Sequence, residues 1–299
     1  MDIVTTALQF LISGLSLGGL YALMALGLAL VYGILKLVNF AYGELVMVAG
    51  YTLLVLGVGP LPWLITALIC IGMAALASVL LERIAFRPVR QASANTMLIT
   101  SFAVSALLQN AALLFVSPRP QAVEMPGFFT TSLRFGGLFV SQRDILSLIV
   151  SIVILIALTL FLRRTTLGIA LRASADDFVM ARALGVRANQ VIATAFAISG
   201  LLAGIVAIFW VGRVGTVTPD LGVTPVLVAF VAIVIGGMDS LPGAVLGGYL
   251  IGFVTVGLQF VLPQELLQFQ QAFLFVIVIL VLLFKPEGLI SNRRAIERV

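Results

Sequence analysis

The sequence predicts an all-α integral membrane protein, a polytopic helical bundle of about eight to ten transmembrane helices with discontinuous segments. Two observations carry this. Of 299 residues, 62% are hydrophobic and only 10% charged, with mean hydropathy +1.22, whereas a soluble domain carries roughly 25% charged residues. The apolar residues also fall into long stretches, and a membrane helix needs about 20 of them. The whole of 1–299 is therefore expected to form one transmembrane domain.

Nine stretches are expected as helices: residues 7–32, 37–56, 63–81, 96–116, 145–162, 191–211, 223–238, 243–262 and 272–284. The seventh and ninth are short for a full crossing. The N-terminal MDIVTTALQF has no Lys or Arg, so it lacks the basic start of a signal peptide and the first stretch is expected to be retained. With the N-terminus outside, thirteen basic residues fall in inner loops and at the C-terminus, among them Lys36, Arg83, Arg87, Arg90, Arg163, Arg164, Arg172, Arg182, Arg187, Lys285, Arg293, Arg294 and Arg298. Four, Arg119, Arg134, Arg143 and Arg213, fall outside. Cytoplasmic loops collect Lys and Arg, so the N-terminus is expected outside and the C-terminus in the cytoplasm. Spreading the basic residues over short loops also argues against a nucleic-acid face, despite the net charge of +5.

Outer loop 117–144 holds Pro118, Pro120, Pro126, Gly127, Gly136 and Gly137 and reads as an irregular cap. Ile12-Ser13-Gly14-Leu15 recurs as Ile198-Ser199-Gly200-Leu201, each opening a Gly-rich span. Duplicated halves are common in transporters.

The long inner loop 163–190 contains S-A-D-D-F-V-M-A-R-A-L-G from Ser174. Ser174 reads as an N-cap with Asp177 reaching back to it, Asp176 and Asp177 as first-turn charges, Arg182 as last-turn charge, and Gly185 as a left-handed stop. A helix over 175–184 follows, roughly 15 Å long. Phe178, Ala181 and Leu184 then share one stripe. That stripe suits either the lipid surface and the chain itself, or a soluble partner that docks there.

Two segments look unlike plain lipid-facing helix. Asn39-Phe40-Ala41-Tyr42-Gly43-Glu44 puts an ionisable group at membrane depth, which calls for a polar cavity or a partner such as Lys36, unless Glu44 stays wet near the surface. Gly236-Gly237-Met238-Asp239-Ser240-Leu241-Pro242-Gly243, followed by Gly247-Gly248, cannot be one continuous helix. It reads either as broken backbone lining a transport path or as a tight turn.

Absences narrow the function. The only lysines, Lys36 and Lys285, do not follow Gly, so no GxxxxGK[ST] phosphate loop exists and the chain is expected to bind no ATP itself. Without His and with a single Cys70, common metal sites and a Ser-His-Asp set are excluded. Cys70, alone in an apolar run, reads as a small core residue. Neither an enzyme nor a resident cofactor or metal is expected. An ion-coupled secondary transporter would need ionisable residues along its core, and Glu44 and Asp239 are few for that work.

Several stretches in series resemble the permease subunits of the branched-chain amino-acid ABC importers, specifically the first permease of the high-affinity leucine/isoleucine/valine system. Gly19-Leu20-Tyr21-Ala22-Leu23 through Leu30-Val31-Tyr32-Gly33 resembles the first span, and Asn39 to Glu44 its N-F-A-H-G-E motif. Glu82-Arg83 through Arg87-Pro88-Val89-Arg90 resembles the E-R-x-x-[YF]-R-P-V-R loop. Arg172-Ala173 with Asp177, Ala181 and Leu184-Gly185 resembles the cytoplasmic coupling segment, and Gly236-Gly237 with Ser240-Leu241-Pro242-Gly243 the G-G-x-G-S-x-P-G stretch. Tyr42 stands for the family's His and Asp239 for a Gly, which opens the solute to urea, short amides or aromatic acids. The resemblance implies an inner-membrane permease paired with a second permease subunit, fed by a solute-binding protein and driven by a separate ATPase that carries the ATP. It implies ATPase contact at Arg172, Ser174, Asp176, Asp177, Phe178, Ala181, Leu184 and Gly185. Asn39, Tyr42, Gly43, Glu44, Gly236, Gly237 and Asp239 are the candidates for the substrate path.

Overall fold

The computed structural model describes residues 3–57, 59, 61–90, 92–135, 138–285 and 288–290. Gly136, Gly137, Arg293, Arg294 and Arg298 lie outside the described residues.

The elements run α1 (Ile3–Leu35), α2 (Tyr42–Gly57), α3 (Trp63–Leu81), continued by a π-helical turn (Glu82–Phe86) into α4 (Arg87–Val89), then α5 (Ala94–Phe115). The segment after α5 holds β1 (Gln121–Ala122), α6 (Gly127–Thr130), β2 (Ser132–Phe135) and β3 (Leu138–Ser141). There follow α7 (Gln142–Arg164), α8 (Thr166–Asp176), α9 (Phe178–Ala183), α10 (Ala188–Val214), β4 (Thr216–Val217), α11 (Val223–Gly236), α12 (Leu241–Val261), a 3₁₀ turn (Gln264–Phe269) and α13 (Gln270–Phe284).

Among the described residues seven helical spans are long and apolar enough to cross a bilayer, with α2 and α11 as shorter apolar helices. These nine sit on the nine expected stretches, because hydrocarbon leaves the backbone no partner except itself and forces each apolar run into a helix. At 16 and 14 residues, α2 and α11 reach only about 24 and 21 Å, short of a core about 30 Å thick. Each follows a non-helical stretch, residues 36–41 and 215–222. These are the discontinuous segments. The segment between α5 and α7 is less irregular than its Pro and Gly content suggests: β2 pairs antiparallel with β3, and β1 with β4. Backbone groups there find partners in short ladders.

The chain divides into two compact units, interleaved in sequence. One comprises 1–29, 127–155 and 228–299. Its core is the crossing of α1 with α12, where small residues let backbones touch. A Cβ on Gly252 or Gly248 would overlap the Cα of Gly18 or Ala22 respectively, and one on Gly18 would lie 2.9 Å from the Tyr249 Cα. Ser16 and Ser147 hydroxyls pair at 2.6 Å, tying α1 to α7. Ser240 caps α12, accepting from the Gly243 N–H at 3.1 Å.

The other unit comprises 30–126 and 156–227. Here α10 packs on α3 through the second copy of the echoed motif. A Cβ on Gly200 would stand 2.7 Å from the Ala75 Cα, and one on Gly204 2.8 Å from the Ile71 Cα. The Ser78 hydroxyl donates to the Phe196 carbonyl at 2.6 Å. The echo therefore marks a repeated structural role, since in both copies its glycine begins a close helix crossing. Cys70 is buried and free, as a small core residue.

Candidate functional site: a buried carboxylate and a capped helix pair

Glu44 lies in the first turn of α2 and is 1% exposed, which removes the reading that it stays wet. Its Oε1 accepts from the Ser105 hydroxyl and from Gln109 Nε2, both at 2.7 Å. Ser105 and Gln109 stand one helical turn apart on α5, so one face of that span presents two donors to one oxygen. Among the described residues Glu44 Oε2 has no hydrogen-bond partner, and neither have Asn39 Oδ1 and Tyr51 OH, all buried. The Tyr42 hydroxyl lies beside Ser199 without a well-formed bond. Asp220 is near enough to act electrostatically on Glu44 and Tyr51. Lys36 is not the partner of Glu44. It adopts φ +52 where α1 ends, and its Nζ stands 5.8 Å from the Tyr32 ring centroid.

The chain reaches this depth through residues 36–41. Turn bonds from the Tyr42 and Glu44 N–H groups to the Asn39 and Ala41 carbonyls, each 3.2 Å, start α2. Gly43 meets Gly222, the residue before α11, backbone to backbone, and a side chain on either would collide with the other. So the two half-length helices begin against each other, positive dipole ends together. Buried acceptors without donors are costly in an apolar medium. The arrangement offers acceptor sites to a proton or to a cationic donor.

Gly236, Gly237 and Asp239 lie in the other unit and form a tight turn from α11 to α12. Gly237 takes φ +107, and Gly236 packs against the Gly243 backbone. The N–H groups of Leu289 and Ile290 donate to the Ile235 and Gly236 carbonyls at 2.7 and 3.1 Å, closing the C-terminal end of α11. Asp239 is exposed. The stretch is thus broken backbone that makes a tight turn.

The cytoplasmic helix expected over 175–184 is two helices. α8 begins earlier, capped by Thr165, whose Oγ1 accepts from the Gly168 N–H at 3.0 Å. It ends at Asp176, and Asp177 turns extended (φ −150, ψ 99). Asp177 is itself the cap of α9, its Oδ1 accepting from the Met180 N–H at 2.9 Å. Ser174 is not a cap: it is buried within α8, its hydroxyl without a partner among the described residues. A short Asp side chain competes with the helix for its own backbone, which is why the chain breaks there. Gly185 does take the left-handed stop, at φ +90, with Val186 N–H to Ala181 O at 3.1 Å. Arg172 Nε donates to the Leu162 carbonyl at 2.9 Å, tying α8 back to α7. The expected stripe is also corrected. Ala181 is buried and Phe178 half-buried, while Val179 (79%), Met180 (57%) and Leu184 (80%) form the exposed apolar face.

A family profile described as the permease component of the branched-chain amino acid transport system matches residues 10–282. The chain belongs to this permease family. It is 35% identical over 304 residues to the high-affinity branched-chain amino acid transport system permease protein BraD of Pseudomonas aeruginosa, covering 98% of each chain. It is 33% identical to the corresponding permease protein LivH of Escherichia coli K12, over 98% of this chain and 97% of that one. It also resembles the permease protein LivM of Salmonella typhimurium, at 25% over 92% of this chain and 68% of that one.

In this permease Glu44 stands out in the sequence as a lone carboxylate, whereas the two side chains that bond it do not. Ser105 and Gln109 were legible as two polar residues four apart inside an apolar span, a spacing that puts both on one face. Thr165 was legible as a Thr opening the loop three residues before a Gly. Asp220 carried no signal beyond a turn-forming Pro-Asp pair.

Proposed function

We propose that this chain is the transmembrane permease subunit of an ATP-driven importer in the inner membrane, translocating branched-chain amino acids. The match of the family profile across 10–282 carries the proposal. In this reading 1–299 acts as one permease domain, N-terminus outside and C-terminus in the cytoplasm, in line with the thirteen-to-four division of basic residues. ATP is bound and hydrolysed by a separate ATPase subunit, not by this chain. The exposed face of Val179, Met180 and Leu184, on a helix too short to be stable alone in water, is where that ATPase docks. Arg172, Asp176, Asp177 and Gly185 hold the helix pair in shape for it. A second permease completes the path; Salmonella typhimurium has both a LivH and a LivM bearing the same system name. A soluble binding protein delivers the solute.

The path runs past Asn39, Tyr42, Gly43 and Glu44. Unpartnered acceptors suit an ammonium group, and the abutting helix starts suit a carboxylate, so a zwitterionic amino acid fits both. Tyr42, in place of the family's His, favours a second reading in which the same machinery carries another small solute such as an amide. The test is a tagged chain expressed with its neighbouring subunits, and labelled leucine uptake challenged with isoleucine, valine, urea and short amides. Co-purification of an ATPase and a second permease, with competition by isoleucine and valine, is the expected result. Competition by urea or amides alone would move the solute, and absence of any ATPase would overturn the proposal.

A further inference from the structure

We propose that the groove where α10 begins is a binding site for the phosphodiester headgroup of an anionic phospholipid. The groove has a volume of about 590 Å³ and lies within one compact unit. Leu35, Phe178 and Ile192 form its apolar wall, and Arg90, Arg182 and Arg187 bring three guanidinium groups to it. Arg90 Nη1 donates to Asn189 Oδ1 at 2.5 Å, which fixes that group at the rim. Among the described residues none of the three has a carboxylate within 4.0 Å; buried Glu82 acts on Arg90 only from farther off. Like charges gathered without an ion pair repel one another, and an anion seated among them removes that cost.

Its place in the fold selects the anion. Leu35 ends α1, Arg90 follows the span that ends at Val89, and Ala188 begins α10. Three membrane helices therefore end at this groove, which puts it where phospholipid headgroups sit. Arg187 occupies the N-cap of α10 without capping it by its side chain, so the first N–H groups of a 27-residue helix add their dipole to the arginines. Guanidinium groups match phosphate oxygens in pairs, and basic pockets between membrane helices on the cytoplasmic side suit such headgroups. The face of α9 that lines the groove, Phe178 and Arg182, is opposite to its exposed apolar face of Val179, Met180 and Leu184. A lipid and a docking protein thus use different sides of the same helix, which favours lipid over an acidic protein segment here.

The test is native mass spectrometry of the purified full chain, with any subunits that co-purify, carrying phosphatidylglycerol or phosphatidylcholine of identical acyl chains. Wild type should retain phosphatidylglycerol with a preference of about tenfold, and Arg182→Gln with Arg187→Gln should abolish that preference. Arg163→Gln with Arg164→Gln, exposed in the last turn of α7 but outside the groove, should keep it. Equal retention by the groove variant overturns the proposal, as does equal loss in the control, which would mean general charge attraction. Displacement of the lipid by excess inorganic phosphate would make a free anion the ligand and also overturn it. Loss of the lipid whenever a co-purified ATPase is present would assign the groove to that protein instead. Should the double variant not be recovered folded, Arg187→Gln beside Arg187→Lys decides: retention as in wild type for the Gln variant rejects the site, and a graded loss from Lys to Gln supports it.

Discussion

Glu44 holds a carboxylate inside an apolar span with one oxygen accepting two hydrogen bonds and, among the described residues, the other accepting none. Burying such a group for packing alone makes little sense, since a bare buried acceptor costs about 1–3 kcal/mol. Glu44→Ala is therefore expected to impair transport far more than membrane abundance, while Glu44→Gln keeps the Ser105 bond and leaves the thermal melting point near wild type. Uptake kinetics unchanged in Glu44→Ala would reduce the residue to a packing role. Glycines allow a sharper contrast. Gly252→Leu forces a side chain into the α1 backbone and should cost about 1–3 kcal/mol or prevent folding. Gly72→Ala, with nothing within 4 Å of its new methyl, should be neutral in the same melting assay. At this scale the sequence showed Glu44 because a lone carboxylate stands out against apolar letters. It could not show which oxygen is satisfied, because that depends on α5 packing from 61 residues away.

Among the elements, the nine apolar stretches were legible because a bilayer admits one solution for each. The segment from Thr165 to Gly185 was only half legible. Ser174 and Asp177 have the letters of a capping box, yet Thr165 had already started a helix upstream, so Ser174 fell inside it and became buried. Gly185 survived every change of boundary because a left-handed residue stops a helix wherever it began. The correction moves the docking prediction. Leu184→Asp and Val179→Asp are expected to weaken ATPase co-purification at least fivefold, about 1 kcal/mol, without lowering the melting point. Phe178→Asp, pointed at the groove, should destabilise the chain. Pull-down with melting curves reads both, and full ATPase recovery with Leu184→Asp would remove this face from the interface.

For the whole molecule, the fold class, the span positions and the family were all within reach of composition and motif order. The division into two interleaved units was not, because each is assembled from segments distant in sequence: α1 finds α12, and α10 finds α3. The Ile-Ser-Gly-Leu echo was the single trace of it. The charge division gives the orientation its own test. In a Cys70→Ser background, Gly59→Cys should react with an impermeant thiol reagent in intact cells, and Gly185→Cys only after the cells are opened; the reverse pattern would invert the topology. Energy source is the claim on which the rest depends. It is read most directly by leucine uptake into proteoliposomes holding the permease with its co-purified subunits and binding protein. With ATP on the cytoplasmic side, accumulation should proceed and persist when an ionophore collapses the proton gradient. Uptake that needs no ATP and stops with the ionophore would contradict the account.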